Sequence, residues 1–202
     1  MKKYFISGID TGIGKTLCSA ILAECLKADY WKPIQAGDLD NSDSITVSKL
    51  ITNNKTKIHL ERFKLNTSAS PHYSAAIDNV DISLSDFSLP KTENTLIVEG
   101  AGGLLVPINE YKTIIDLIKF LDIPVILVSK NYLGSINHTL MSLEILKINN
   151  IKVGGIIFNG TENTESQRII QKLSNVKLIG CIPEFQNVDK KCVEDSARKL
   201  MF

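Results

Sequence analysis

The sequence predicts an α/β fold, a mostly parallel twisted sheet with helices on both faces. Three observations carry this expectation. Short apolar runs alternate with helix-period segments from one end of the chain to the other. Several of the runs are apolar without interruption, as in Leu96-Ile97-Val98 and Val125-Ile126-Leu127-Val128. No repeat, low-complexity tract or linker divides the 202 residues. A strand buried on both faces of a parallel sheet has no solvent side, so it reads as a continuous hydrophobic run. Such strands alternating with amphipathic helices indicate parallel strands joined by helical crossovers. One domain over residues 1–202 is expected, near the upper end of what a single core organises.

The elements follow in order. A first strand is expected over 3–7, where the apolar run Tyr4-Phe5-Ile6 ends at Ser7-Gly8 and Asp10. Lys2 and Lys3 precede it, but the run is too short for the core of a secretory signal. A helix over 15–27, a short strand over 29–32 and a helix over 42–52 come next. Residues 52–94 are the least periodic stretch and are expected to carry much irregular structure over the active edge of the sheet. Strands over 95–99, 124–129, 152–158 and 176–179 then alternate with helices over 113–121, 135–149, 165–174 and 188–199. No segment approaches the roughly 20 apolar residues of a membrane span, and a cytoplasmic location is expected.

Composition narrows the function classes. The chain is 44% hydrophobic and 22% charged, with 23 basic and 22 acidic residues and a formal net charge of +1. Near-neutrality gives no electrostatic reason to expect nucleic acid or an acidic membrane as partner, although a local cluster can still hold a small anion. Cys18, Cys25, Cys181 and Cys192 form no C-x-x-C pair, and His59, His72 and His138 are scattered, so a zinc site has little support.

The most informative segment is Gly8-Ile9-Asp10-Thr11-Gly12-Ile13-Gly14-Lys15-Thr16. It follows a strand and opens a helix, the context of a phosphate loop of P-loop NTPase type. Backbone N–H groups of such a loop and the positive end of its helix point at phosphate oxygens. Gly14 allows close backbone approach, Lys15 reaches the β- and γ-phosphates, and Thr16 offers a hydroxyl to Mg²⁺. The usual pattern places its first glycine at position 9; here that residue is Ile9 and the glycine is Gly8. A second element is Leu96-Ile97-Val98-Glu99, an apolar strand ending in a carboxylate that can hold Mg²⁺ directly or through water. Gly100-Ala101-Gly102-Gly103 follows it, a sign of close backbone approach. In a third cluster, Trp31 to Gly37, Lys32 falls at the carboxyl edge of the sheet, where ligands bind in open α/β folds; an ordinary surface lysine is the other reading. Asp43 is either a site carboxylate or a cap on the 42–52 helix.

These residues resemble one family, the dethiobiotin synthetases. The shifted loop from Gly8 to Thr16 looks like that family's own form of the phosphate loop. Lys32-Pro33 with Gly37, Ser42-Asp43 and Ser70-Pro71-His72 match as well. So do Val98 to Gly103 with Pro107, Leu133 to His138, Asn159 after Ile156-Ile157-Phe158, and Gly180-Cys181-Ile182-Pro183. The motifs cover almost the whole chain in the family's order.

The resemblance implies ATP- and Mg²⁺-dependent carboxylation of 7,8-diaminononanoate. CO₂ would be taken up as a carbamate, ATP would phosphorylate it, and the neighbouring amine would close a cyclic urea, giving ADP and phosphate. It implies ATP binding by Gly12, Ile13, Gly14, Lys15, Thr16, Glu99, Gly102, Asn159 and Pro183, with Asn159 on the adenine edge and Pro183 on its face. Metal binding is implied for Thr16, Asp43 and Glu99, and catalysis for Lys15, Lys32 and Thr11. Substrate contacts are implied for Thr11, Lys32, Ala36, Gly134, Ser135 and Asn137. The last three would come from the partner of a homodimer, with free helix N–H groups suiting the substrate carboxylate. Two positions depart from some members: Gly12 stands where an acid can occur, and Ala36 where a hydroxyl can. A partitioning-type ATPase is the rival of similar fold, but that class carries an early loop lysine where this chain has Asp10. A cobalamin-pathway amide ligase is the second rival; its glutamine-hydrolysing domain would not fit in 202 residues.

Overall fold

The computed structural model describes residues 1–202. Its main sheet has seven strands: β1 (Lys3–Gly8), β2 (Asp29–Trp31), β4 (Ile58–His59), β6 (Leu96–Gly103), β7 (Val125–Lys130), β8 (Val153–Asn159) and β9 (Leu178–Ile182). They are ordered β4-β2-β6-β1-β7-β8-β9, and every pairing is parallel. Two short strands, β3 (Ile34–Ala36) and β5 (Phe63–Leu65), pair parallel in a separate small sheet. The helices are α1 (Lys15–Leu26), α2 (Asp43–Leu50), α3 (Pro71–Asp78), α4 (Ile114–Leu121), α5 (Ser135–Ile148), α6 (Thr164–Ser174) and α7 (Lys190–Ala197).

Strand alternation sorts the core into two layers. Ile6, Ile97, Ile126 and Ile157 face α1 and α7, packing with Cys18, Ile21, Leu22 and Val193. Their neighbours Phe5, Leu96, Val98 and Val125 face the other way, against Ile114, Leu117 and Ile118 of α4 and Leu146 of α5. Leu127, Ile156 and Phe158 continue that layer under Leu143 of α5 and Ile170 of α6. Each buried strand thus spends both of its faces on helices, which is why its sequence is apolar throughout.

The strand order places the site. The chain leaves β1 for β2 beyond β6 on one side, and returns later to lay β7 on the other side of β1. Carboxyl ends on either side of such a reversal diverge and leave a crevice. The phosphate loop lies there, between β1 and α1. The glycine run, expected to follow a strand ending at Glu99, is the end of β6 itself: Gly103 pairs with Gly8. Residues 52–94 are largely irregular, as expected, with only β4, β5, α3 and a short 3-10 turn among them. The strands have two and three residues, too few to show a period.

Candidate active site

The loop between β1 and α1 is built to receive an anion. Gly14, the residue before α1, has φ of 88°, in the left-handed region that glycine adopts without a Cβ clash. The backbone N–H groups of Gly12, Ile13, Gly14, Lys15 and Thr16 find no acceptor within the protein. Unpaired amides at the positive end of a 12-residue helix are what phosphate oxygens require. Lys15 lies back along the loop, its Nζ donating to the Asp10 carbonyl at 2.9 Å, and burial pulls its pKa below the usual lysine value. Asp10 turns its carboxylate onto the Thr11 N–H at 2.7 Å, so the position that distinguishes partitioning ATPases holds an acid engaged with the loop itself.

Beside the loop, three oxygen-bearing side chains converge. Thr16 Oγ1 lies 2.9 Å from Asp43 Oδ1 and 3.0 Å from Glu99 Oε1. Asp43 reaches the site because Ser42, not Asp43, caps α2: the Ser42 hydroxyl accepts from the Ile45 N–H at 3.3 Å. The cap is therefore Ser42, and the Asp43 carboxylate, at the first helical position, is not spent on capping. A hydroxyl and two carboxylates form a small, hard donor set, suited to a cation that keeps several of its waters, as Mg²⁺ does.

Lys32 completes the cluster and is not a surface lysine. It is 5% exposed, pairs with Asp43 Oδ2, and lies 3.3 Å from Glu99 Oε1 and 3.1 Å from the Gly100 carbonyl. Burial, the largest single influence, opposes its charge, but Glu99 and Asp43 together outweigh it and hold its pKa above the ordinary value. Asp43 is likewise opposed by burial, yet Lys32 keeps its carboxyl below the usual range. Lys32 and Asp43 thus hold each other's charge against burial.

Thr11, Gly12, Gly14, Lys15, Thr16, Lys32, Ala36, Asp43, Glu99 and Gly102 all line one open cavity of about 790 Å³. Ser68 to Pro71 line the same cavity, and Ala101 and Val106 add apolar surface. Gly134 and Asn137 line a different groove with Tyr132, Leu133 and Asn163. There the Ile136 and Asn137 amides are free, whereas the Ser135 N–H donates to the Tyr132 carbonyl and Ser135 itself is buried. Asn159 stands behind the loop rather than apart from it: its Nδ2 donates to the Ile13 carbonyl at 2.7 Å. Pro183, exposed, follows β9 directly after Ile182, the partner of Asn159.

Comparison with known proteins gives the family. A protein-family model described as an AAA domain matches residues 2–191. The ATP-dependent dethiobiotin synthetase of Christiangramia forsetii is 51% identical over 199 residues, covering 98% of this chain and 96% of that relative. The one from Cytophaga hutchinsonii is 49% identical over 201 residues, covering 99% and 97%. This chain belongs to the dethiobiotin synthetase family.

Among solved structures, the cell division ATPase MinD of Pyrococcus furiosus aligns with a TM-score of 0.60 at 12% identity over 98% of both chains. A ParA family ATPase of Chlorobium tepidum aligns at 0.54 and 14% identity, again over 98% of both. Likeness at this identity concerns the P-loop NTPase fold alone. Within the dethiobiotin synthetase frame, sequence reasoning missed two residues of the site. Tyr30 donates its hydroxyl to Glu99 Oε2 at 2.9 Å. Gln35 accepts from the Asp43 N–H at 3.2 Å and donates to the Gly37 carbonyl at 2.9 Å, tying α2 to the turn after β3. An aromatic and an amide, each in a strand of three residues, carry no signal of their own.

Proposed function

We propose that this dethiobiotin synthetase carboxylates and cyclises 7,8-diaminononanoate at the expense of ATP, and that residues 1–202 work as one catalytic unit. The observation that carries the reading is the convergence of Lys15, Thr16, Lys32, Asp43 and Glu99 around one cavity beside a loop of unpaired amides.

One amine adds to CO₂ and loses a proton, giving a carbamate. A carbamate oxygen attacks the γ-phosphorus of ATP, the bond to the β–γ bridging oxygen breaks, and ADP departs. The second amine then attacks the carbonyl carbon, the carbon–oxygen bond to phosphate breaks, and a proton is released as the cyclic urea forms. Such phosphoryl transfer asks for positioning and charge neutralisation more than for covalent help from the protein.

The residues divide that work. The amides from Gly12 to Thr16 hold the phosphates, and Lys15 extends from the loop to the β- and γ-oxygens. Mg²⁺, held by Thr16, Asp43 and Glu99, would offset phosphate charge. Lys32 is placed to face the carbamate oxygens, where a fixed ammonium stabilises the anion and the charge that develops as it is phosphorylated. Thr11, which lines the same cavity, holds the reacting nitrogen or carbamate. Asn159 with Pro183 takes the adenine, and its Oδ1 is the free acceptor for an amino edge. We further propose a homodimer in the cytoplasm, with Gly134, Ser135 and Asn137 of one subunit serving the substrate carboxylate at the other; Ile136 and Asn137 amides are the free donors there. No helix is long and apolar enough to cross a membrane.

The test is release of ADP that depends on both bicarbonate and 7,8-diaminononanoate, with the product identified by mass as the cyclic urea. ATP turnover indifferent to the diamine would overturn the assignment.

A further inference from the structure

Glu99 shows its two oxygens to different neighbours. Oε1 faces Thr16 Oγ1 at 3.0 Å and Lys32 Nζ at 3.3 Å, on the cavity side. Oε2 accepts from the Tyr30 hydroxyl at 2.9 Å on the core side. Tyr30 is 0% exposed and Glu99 1%, so water does not compete for Oε2. The sheet dictates the meeting. β2 and β6 are adjacent and parallel with Tyr30 opposite Ile97. Glu99, two residues further on, projects from the same face as Ile97, and a diagonal neighbour is within reach of a tyrosine side chain.

We propose that Tyr30 is a positioning residue whose hydroxyl fixes the Glu99 carboxylate so that Oε1 is presented to the divalent cation of the phosphate site. The inference rests on the metal role of Glu99 argued above. A carboxylate that uses one oxygen on a metal can still rotate about its last torsion, which is soft for a glutamate. A second, buried partner removes that freedom. Partners of this kind typically change metal affinity by about 10–100-fold when lost. Tyr30 also packs in the core with Ile97 and the α1 residues; its ring serves that purpose, and a phenylalanine would serve it equally. The hydroxyl is what the core does not need.

Tyr30→Phe removes one oxygen and keeps the ring. The measurement is Mn²⁺ binding to the protein–ADP complex by electron paramagnetic resonance, with ADP affinity in EDTA and thermal melting recorded alongside. The expected result is a loss of about tenfold or more in Mn²⁺ affinity, with metal-free ADP affinity within about twofold of the parent. Unchanged Mn²⁺ affinity overturns the proposal, as does an equal loss of metal-free ADP affinity, which would mark a general disturbance of the fold. If the parent itself binds no Mn²⁺ with ADP, it is the metal reading of Glu99 that falls. Should Tyr30→Phe not fold, 3-fluorotyrosine placed at residue 30 keeps both ring and hydroxyl. Its fluorine resonance is then expected to shift as Mg²⁺ is titrated into the ADP complex, and a resonance indifferent to Mg²⁺ overturns the proposal.

Discussion

Lys15 and Lys32 share one cavity, yet their charges are held in opposite ways. Burial weakens the charge on Lys15, while Glu99 and Asp43 strengthen that on Lys32 against the same burial. Replacing each should therefore fail differently. Lys15→Ala should lower turnover by about 10²-fold or more, the scale of removing a donor to developing charge; near-normal turnover in steady-state assays would count against the phosphate loop. Lys32→Ala should reduce kcat more than it weakens ATP binding, and isothermal titration with ATP separates the two. Gly14 offers a third check. A Cβ there would come within 2.1 Å of Asn159 Nδ2 at φ of 88°, so Gly14→Ala must displace Asn159 from the Ile13 carbonyl. Its expected mark is lost nucleotide affinity, read by ATP titration.

Among the elements, α1 and α2 are joined by a single carboxylate outside the candidate cavity. Glu24 of α1 is 4% exposed and accepts from Lys27 Nζ at 2.8 Å, from the Thr52 N–H at 2.8 Å and from the Asn53 N–H at 3.1 Å, just past the end of α2. Burial is the largest single influence and would raise its pKa, but the hydrogen bonds from Lys27, Asn53 and Thr52 together bring it from 4.5 down to about 2. A depressed folded pKa stabilises above the unfolded value, and this contribution is lost as pH falls from about 4.5 through about 2. Glu24→Gln should cost about 1–3 kcal/mol near neutral pH, and the gap from the parent should narrow at about pH 3. Urea unfolding at the two pH values checks it; a constant gap would contradict the ionised tie. The same elements show what the sequence made legible. β1, β6, β7 and β8 were readable because two-sided burial leaves no polar position to confuse the pattern. β3, β4 and β5 were not, since two or three residues carry no period. The motifs that hold Thr16, Asp43 and Glu99 were readable, and the structure brings the three side chains together, but neither the cap on Ser42 nor the tyrosine behind Glu99 was. Those depend on which neighbour a side chain meets across the sheet, and spacing does not contain that.

At the scale of the whole molecule, the groove at the start of α5 lies apart from the cavity that holds Lys32, and Leu133 beside it is fully exposed. A homodimer that brings the two together makes the substrate carboxylate a distant anchor. A diamine lacking that carboxylate is expected to bind at least about tenfold more weakly, and Leu133→Asp to shift sedimentation toward the monomer. Equal affinity for both diamines would remove the anchor. The strand order has a temporal side as well. β1 is the first strand made, yet both of its neighbours, β6 and β7, are made much later. A ribosome paused before residue 96 has therefore released a phosphate loop with no sheet to rest on and no Glu99 to complete its cation site. Nucleotide capture by stalled nascent chains should accordingly be absent until both flanking strands have left the exit tunnel, and then switch on together with resistance to protease.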